Sequence, residues 1–88
     1  MPTISKFFGI TIRMSFKDEG QHNLPHFHAS YGDSLAVFGL DGEIIKGDFP
    51  PRQSAFIKAW ALLHEEALAA NWELAVNGEE TFRIDPLQ

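Results

Sequence analysis

Cysteine is absent from the 88 residues, so the chain can form no disulfide framework, thiolate metal site or cysteine nucleophile. No apolar run approaches the ~20 residues of a membrane span. The N-terminus lacks the pattern of a secretory leader, and the expectation is a cytoplasmic protein. Cations are scarce: seven Lys and Arg stand against twelve Asp and Glu, a net charge of −5. Nucleic-acid binding rests on neutralising phosphates, so an acidic domain is a poor solitary binder of DNA or RNA.

The length suits a single domain, residues 1–88, with a modest core. The deficit of positive charge is uneven. Met1–Phe16 holds Lys6 and Arg13 and no acid, whereas from Gln53 onward six acids face Lys58 and Arg83. A local basic patch near the N-terminal strand is therefore compatible with an acidic whole.

The stretch from Leu24 to Tyr31 (Leu-Pro-His-Phe-His-Ala-Ser-Tyr) organises the rest. The residue before a proline is biased away from helix, and Phe, His and Tyr suit a pleated surface. With a side-chain period of two, His26, His28 and Ser30 share one face of a strand, and Phe27, Ala29 and Tyr31 take the other. The two imidazoles then stand with their Cβ atoms roughly 6–7 Å apart.

Upstream, Phe7–Phe16 alternates as one strand, with Phe8, Ile10, Ile12, Met14 and Phe16 on its apolar side. Lys17–Asn23 is a polar loop. Downstream, Gly32-Asp33 and Asp41-Gly42 are residue pairs favoured in two-residue hairpin loops. They predict strands near His26–Tyr31, Ser34–Leu40 and Glu43–Gly47. The implied register pairs His28 with Val37, His26 with Gly39, Val37 with Lys46 and Gly39 with Ile44. One face collects Phe27, Ala29, Ala36, Phe38, Leu40 and Ile45. The other collects both histidines, Val37, Gly39, Ile44 and Lys46, with a gap over Gly39. Arg13 and Thr11 join that second face if the first strand lies apolar side down.

Asp48-Phe49-Pro50-Pro51 ends the sheet, and proline in the first turn suits a helix start. The stripe Phe56, Ala59, Trp60, Leu63, Ala67, Ala70 and Leu74 is helical. A straight helix over Arg52–Asn77 would run about 39 Å, too long for a domain with a radius of gyration near 12 Å. A bend near His64–Glu66 and two packed helices are predicted instead, with Gly78 as the final cap and a short strand at Thr81–Ile84. The fold class is α+β: a small antiparallel meander of three to four strands with two C-terminal helices packed on one face.

Three readings of the histidine strand compete. His26 and His28, with His22, Asp18 and Glu19 in the preceding loop, offer ligands for zinc or a similar divalent ion, yet no dependable fourth ligand is visible. No cofactor is firmly implied. As catalytic residues, His26 and His28 could pass a proton each way during phosphodiester cleavage, with Arg13 or Lys46 steadying the phosphate. The plain reading is commoner: histidines on an open sheet face, bonded to backbone or water. His64, beside Glu65 and Glu66, fits a solvated helix flank. Trp72 fits either the core or the anchor of a partner interface.

Several stretches together resemble a small bacterial family, domain-of-unknown-function family 4160. They are Met1–Ile10, Pro25-His26-Phe27-His28, Leu40-Asp41-Gly42-Glu43, Trp60…Leu63-His64 and Asn71-Trp72-Glu73-Leu74. The resemblance covers nearly the whole chain. It implies a gene set beside that of another small protein, as in toxin–antitoxin pairs, and a transcriptional regulator is another role attached to the family. It implies no reaction and no catalytic residue. Two departures stand out: Leu24 replaces the first proline of the usual Pro-Pro-His-Phe-His, and the Lys17–Asn23 loop is longer than usual. The expectation is a binding or regulatory module with a protein partner, or a homo-oligomer. The rival is a metal- or histidine-dependent nuclease, a ribonuclease toxin.

Overall fold

Alternating apolar residues build the sheet, and a helical stripe of Ile57, Trp60, Ala61, Leu68 and Trp72 covers one side of it. The computed structural model describes residues 2–16 and 24–88. Along the chain lie β1 (Thr3–Phe7), β2 (Ile10–Arg13), β3 (His26–Tyr31), β4 (Ser34–Gly39), β5 (Ile44–Gly47), α1 (Pro51–Leu63) and α2 (Glu65–Val76). The five strands pair antiparallel in sequence order, so the α+β class holds with one strand more than the meander predicted.

The additional strand comes from a turn. Phe7–Phe16 is not one strand: Phe8 (φ 49°) and Gly9 (φ 79°) both adopt positive φ, the pattern of a type I′ hairpin turn. Phe7 is consequently buried and Phe8 exposed, the reverse of the expected alternation. Phe8 is an unusual occupant for such a turn. Its ring rests on Phe56 of α1 at 5.0 Å and edge-on to Phe7 at 6.1 Å, contacts that offset the backbone strain.

The β3–β4 register is the predicted one, with His28 opposite Val37 and His26 opposite Gly39. Val37 also faces Lys46 across β4–β5. The next turn departs from expectation. Gly39 N–H donates to the Glu43 carbonyl and Gly42 N–H to the Gly39 carbonyl, so the loop has three residues, Leu40-Asp41-Gly42. Glycine at φ 84° closes it, as three-residue hairpin loops favour. Ile44 then pairs with Phe38 instead of Gly39, and an irregularity at Ile45 restores the Val37–Lys46 pair. Ile44 and Ile45 therefore exchange the faces assigned to them from the sequence.

Helix α1 begins with Pro51 after Pro50. The bend lies at His64 (φ −125°, ψ 33°), with no glycine or proline. The His64 N–H donates to the Trp60 and Ala61 carbonyls, and its own carbonyl accepts from Leu68, so one residue ends α1 and starts α2. After α2, Gly78 at φ 73° donates to Ala75 and Glu79 donates to Leu74. These are the two bonds of a Schellman cap.

Residues 81–84 do not form the predicted strand. They are held by side chains instead of by a ladder. Asn71, fully buried, donates to the Phe82 carbonyl and accepts from its N–H, each at 2.8 Å. Trp60 Nε1 donates to the Asp85 carbonyl at 2.8 Å, and Ile84 N–H donates to the Ile4 carbonyl of β1 at 2.7 Å.

Trp60 centres the core, with ring contacts to Phe7 at 5.4 Å, Phe27 at 5.6 Å and His64 at 5.8 Å. Phe27 stacks on Phe38 across β3–β4. Helix α1 presses against the β4–β5 loop so closely that a Cβ on Gly42 would come 2.9 Å from the Lys58 Cα. Lys58 and Glu43 form an ion pair there, and the carboxylate raises the Lys58 pKa above the ordinary lysine value. Among the described residues, no helix is long and apolar enough to cross a membrane.

Candidate functional site

Pairing across the strands fixes what the face away from the helices carries. One row runs Thr3, Arg13, His28, Val37, Lys46 from β1 to β5. A second runs Lys6, Thr11, Ser30, Leu35. Directly opposed residues on neighbouring strands share a face, so Arg13 and Lys46 arrive on the histidine face as expected. Lys6 arrives too, and sequence reasoning missed it. The Phe8-Gly9 hairpin, had it been recognised, would have folded β1 back and set Lys6 beside Thr11.

Arg13 is half-buried, and its guanidinium donates to the Ser30 hydroxyl at 3.4 Å. Lys6 and Lys46 are exposed. Among the described residues, no strand position holds Asp or Glu. The described carboxylates sit in turns and loops, on the helices and in the C-terminal segment.

The two histidines behave differently from the expectation of a matched, open pair. Their rings do lie together, 5.4 Å between centroids and edge to face. His28 is half-buried, but His26 has no exposed surface. The cause is Trp72. Helix α2 brings this side chain to the end of the sheet where β3 begins, and its ring lies 5.1 Å from His26 and 5.8 Å from Phe16. Trp72 is thus core, only 7 % exposed, and not a surface anchor.

The His26 Nδ1 donates to the Leu24 carbonyl at 2.6 Å. A carbonyl only accepts, so the proton sits on Nδ1, and a neutral ring keeps its acceptor at Nε2. That tautomer is the one a metal-ligating imidazole uses. His22, Asp18 and Glu19 lie outside the described residues. Among the described ones, no group of three His, Asp or Glu side chains is placed to hold a metal ion. His64 packs on Trp60.

The gap expected over Gly39 is closed. A Cβ there would come 3.0 Å from Asp41 Oδ1 and 3.7 Å from Ile45 Cδ1. Beside it a shallow hollow of about 310 Å³ is bounded by Leu24, Pro25, Gly39, Asp41 and Ile45.

A five-stranded antiparallel meander, roofed on one side by two helices and cationic on the other, defines a small α+β domain with one polar sheet face. The chain belongs to the DUF4160 family, a domain of unknown function, whose model matches residues 9–73. The matched span contains Arg13, both strand histidines, Lys46 and Trp72, and leaves out β1 and the C-terminal segment. No curated protein and no solved structure matches the chain.

Proposed function

We propose that this chain is a binding or regulatory module that works with a protein partner, as one member of a toxin–antitoxin-like gene pair. The observation that supports this reading is the helix-free sheet face. It combines cations (Lys6, Arg13, Lys46), hydroxyls (Thr11, Ser30) and an exposed leucine, Leu35. Such a mixed surface, broad and shallow, suits recognition of another chain better than enclosure of a small substrate. Co-expression with the product of the neighbouring gene, followed by size-exclusion chromatography, tests the reading. Co-elution as one complex is the expected outcome, and two persistently separate proteins would overturn it.

The rival, a histidine-dependent nuclease, has the clustered His26, His28 and Arg13 in its favour. Its weakness is His26: an imidazole with no exposed surface cannot reach a phosphodiester without displacing Trp72. Under that reading the purified chain cleaves RNA and replacing both histidines by alanine abolishes the cleavage; under ours the parent chain cleaves none.

A further inference from the structure

The charged residues on the described strands are all cations. The whole carries −5, yet the open sheet face holds Lys6, Arg13 and Lys46 and, among the described strand residues, no carboxylate. Arg13 and Lys46 lie in one row, on β2 and β5, separated by His28 and Val37. At a strand spacing of ~4.8 Å, the two cations stand roughly 14 Å apart. An extended peptide repeats its same-side residues about every 7 Å. Two acidic side chains four positions apart on an extended segment therefore match the row.

We infer that this face docks an acidic, partly apolar segment of a partner protein, with carboxylates on Arg13 and Lys46 and an apolar side chain over Leu35, which is 69 % exposed. The inference rests on the protein-partner reading above and specifies the partner's chemistry. A nucleic acid fits less well on two counts. The Thr3–Lys46 and Lys6–Leu35 rows present no Phe, Tyr or Trp on which bases could stack in succession, and their single ring, the half-buried His28 imidazole, already packs against His26. A polyanion also meets the repulsion of a net −5 domain well before contact, whereas a short acidic segment engages only the local patch. Arg13 suits the role because its planar fork can donate two parallel hydrogen bonds to a carboxylate, and it already donates to the Ser30 hydroxyl on this face.

The test titrates the isotopically labelled full chain, followed by amide NMR, with a ten-residue peptide of alternating glutamate and valine at low salt. Shifts concentrated at Thr11, Arg13, His28, Leu35 and Lys46 are expected. The response should weaken markedly as salt is raised, because exposed charge pairs are screened within about 10 Å at 0.1 M. The R13E/K46E double variant should bind about tenfold more weakly. Arg13→Gln with Lys46→Gln serves as the milder version, and circular dichroism confirms that each variant folds. No shifts, shifts confined to α1 and α2, or unchanged binding by the charge-reversed variant would each overturn the inference. Tighter binding of a ten-nucleotide RNA at the same residues would also overturn it in favour of a nucleic-acid surface. Failure here is separable from failure of the pair reading. A neighbour product that does not bind removes the pair and leaves the peptide result standing. One that binds R13E/K46E as tightly as the parent removes the acidic docking surface and leaves the pair.

Discussion

The two faces of the sheet share one backbone and differ in what they tolerate. Under the helices, Ile10, Ile12, Phe27, Phe38 and Trp60 have no exposed surface. Interiors are close-packed, so each of these side chains is fixed by its neighbours' shapes. On the other face Lys6, Leu35 and Lys46 are exposed, Arg13 and His28 are half-buried, and Val37 and His26 are buried. Stability is therefore concentrated in one layer, and the other layer is left free to vary in charge. The lesson is that net charge misdescribes a domain of two layers: −5 for the whole chain coexists with a face whose charged strand residues, among those described, are all positive.

Four substitutions test this division in descending order of effect. Trp60→Ala removes the central ring and its bond to the Asp85 carbonyl. A loss of about 3–5 kcal/mol is expected in urea denaturation, a large share of the ~5–15 kcal/mol available to a small domain. His26→Ala against His28→Ala sharpens the boundary between the layers. His26 is fully buried on Trp72 and bonded to Leu24, so its loss should cost about 2 kcal/mol. His28→Ala should cost distinctly less, and equal losses would show that both imidazoles belong to the packed layer. Leu35→Lys, on the open face, should shift the denaturation midpoint by no more than about 0.5 kcal/mol in stability. A larger loss would mean that this face is packed after all.

Much of the architecture was readable because it is encoded locally. Glycine at Gly32 with φ 57° turns β3 into β4 and fixes the register from His26–Gly39 to Tyr31–Ser34. The helix bend was readable from length alone: the radius of gyration is 11.7 Å, and a straight helix would have overhung it. The Phe8-Gly9 turn was not readable, because phenylalanine at positive φ is tolerated only through its contact with Phe56, 48 positions away in the chain. The Asp41-Gly42 pair suggested a two-residue loop, whereas Leu40 also belongs to the turn and Ile45 absorbs the slip. At the site, alternation correctly placed Arg13, His28 and Lys46 together. It could not reveal that Trp72 closes over His26, since a period of two describes a strand and says nothing of what meets its end.

Ile84 N–H donating to the Ile4 carbonyl has a consequence for colloidal behaviour. Sheets that stack side by side into fibres need two receptive borders on every molecule. Here the border of β1 is engaged at Ile4 by the segment 82–85, which Asn71 and Trp60 hold in place, whereas all four residues of β5 are exposed. The segment therefore competes with an incoming strand for the Ile4 carbonyl, a hindrance to strand addition that β5 lacks.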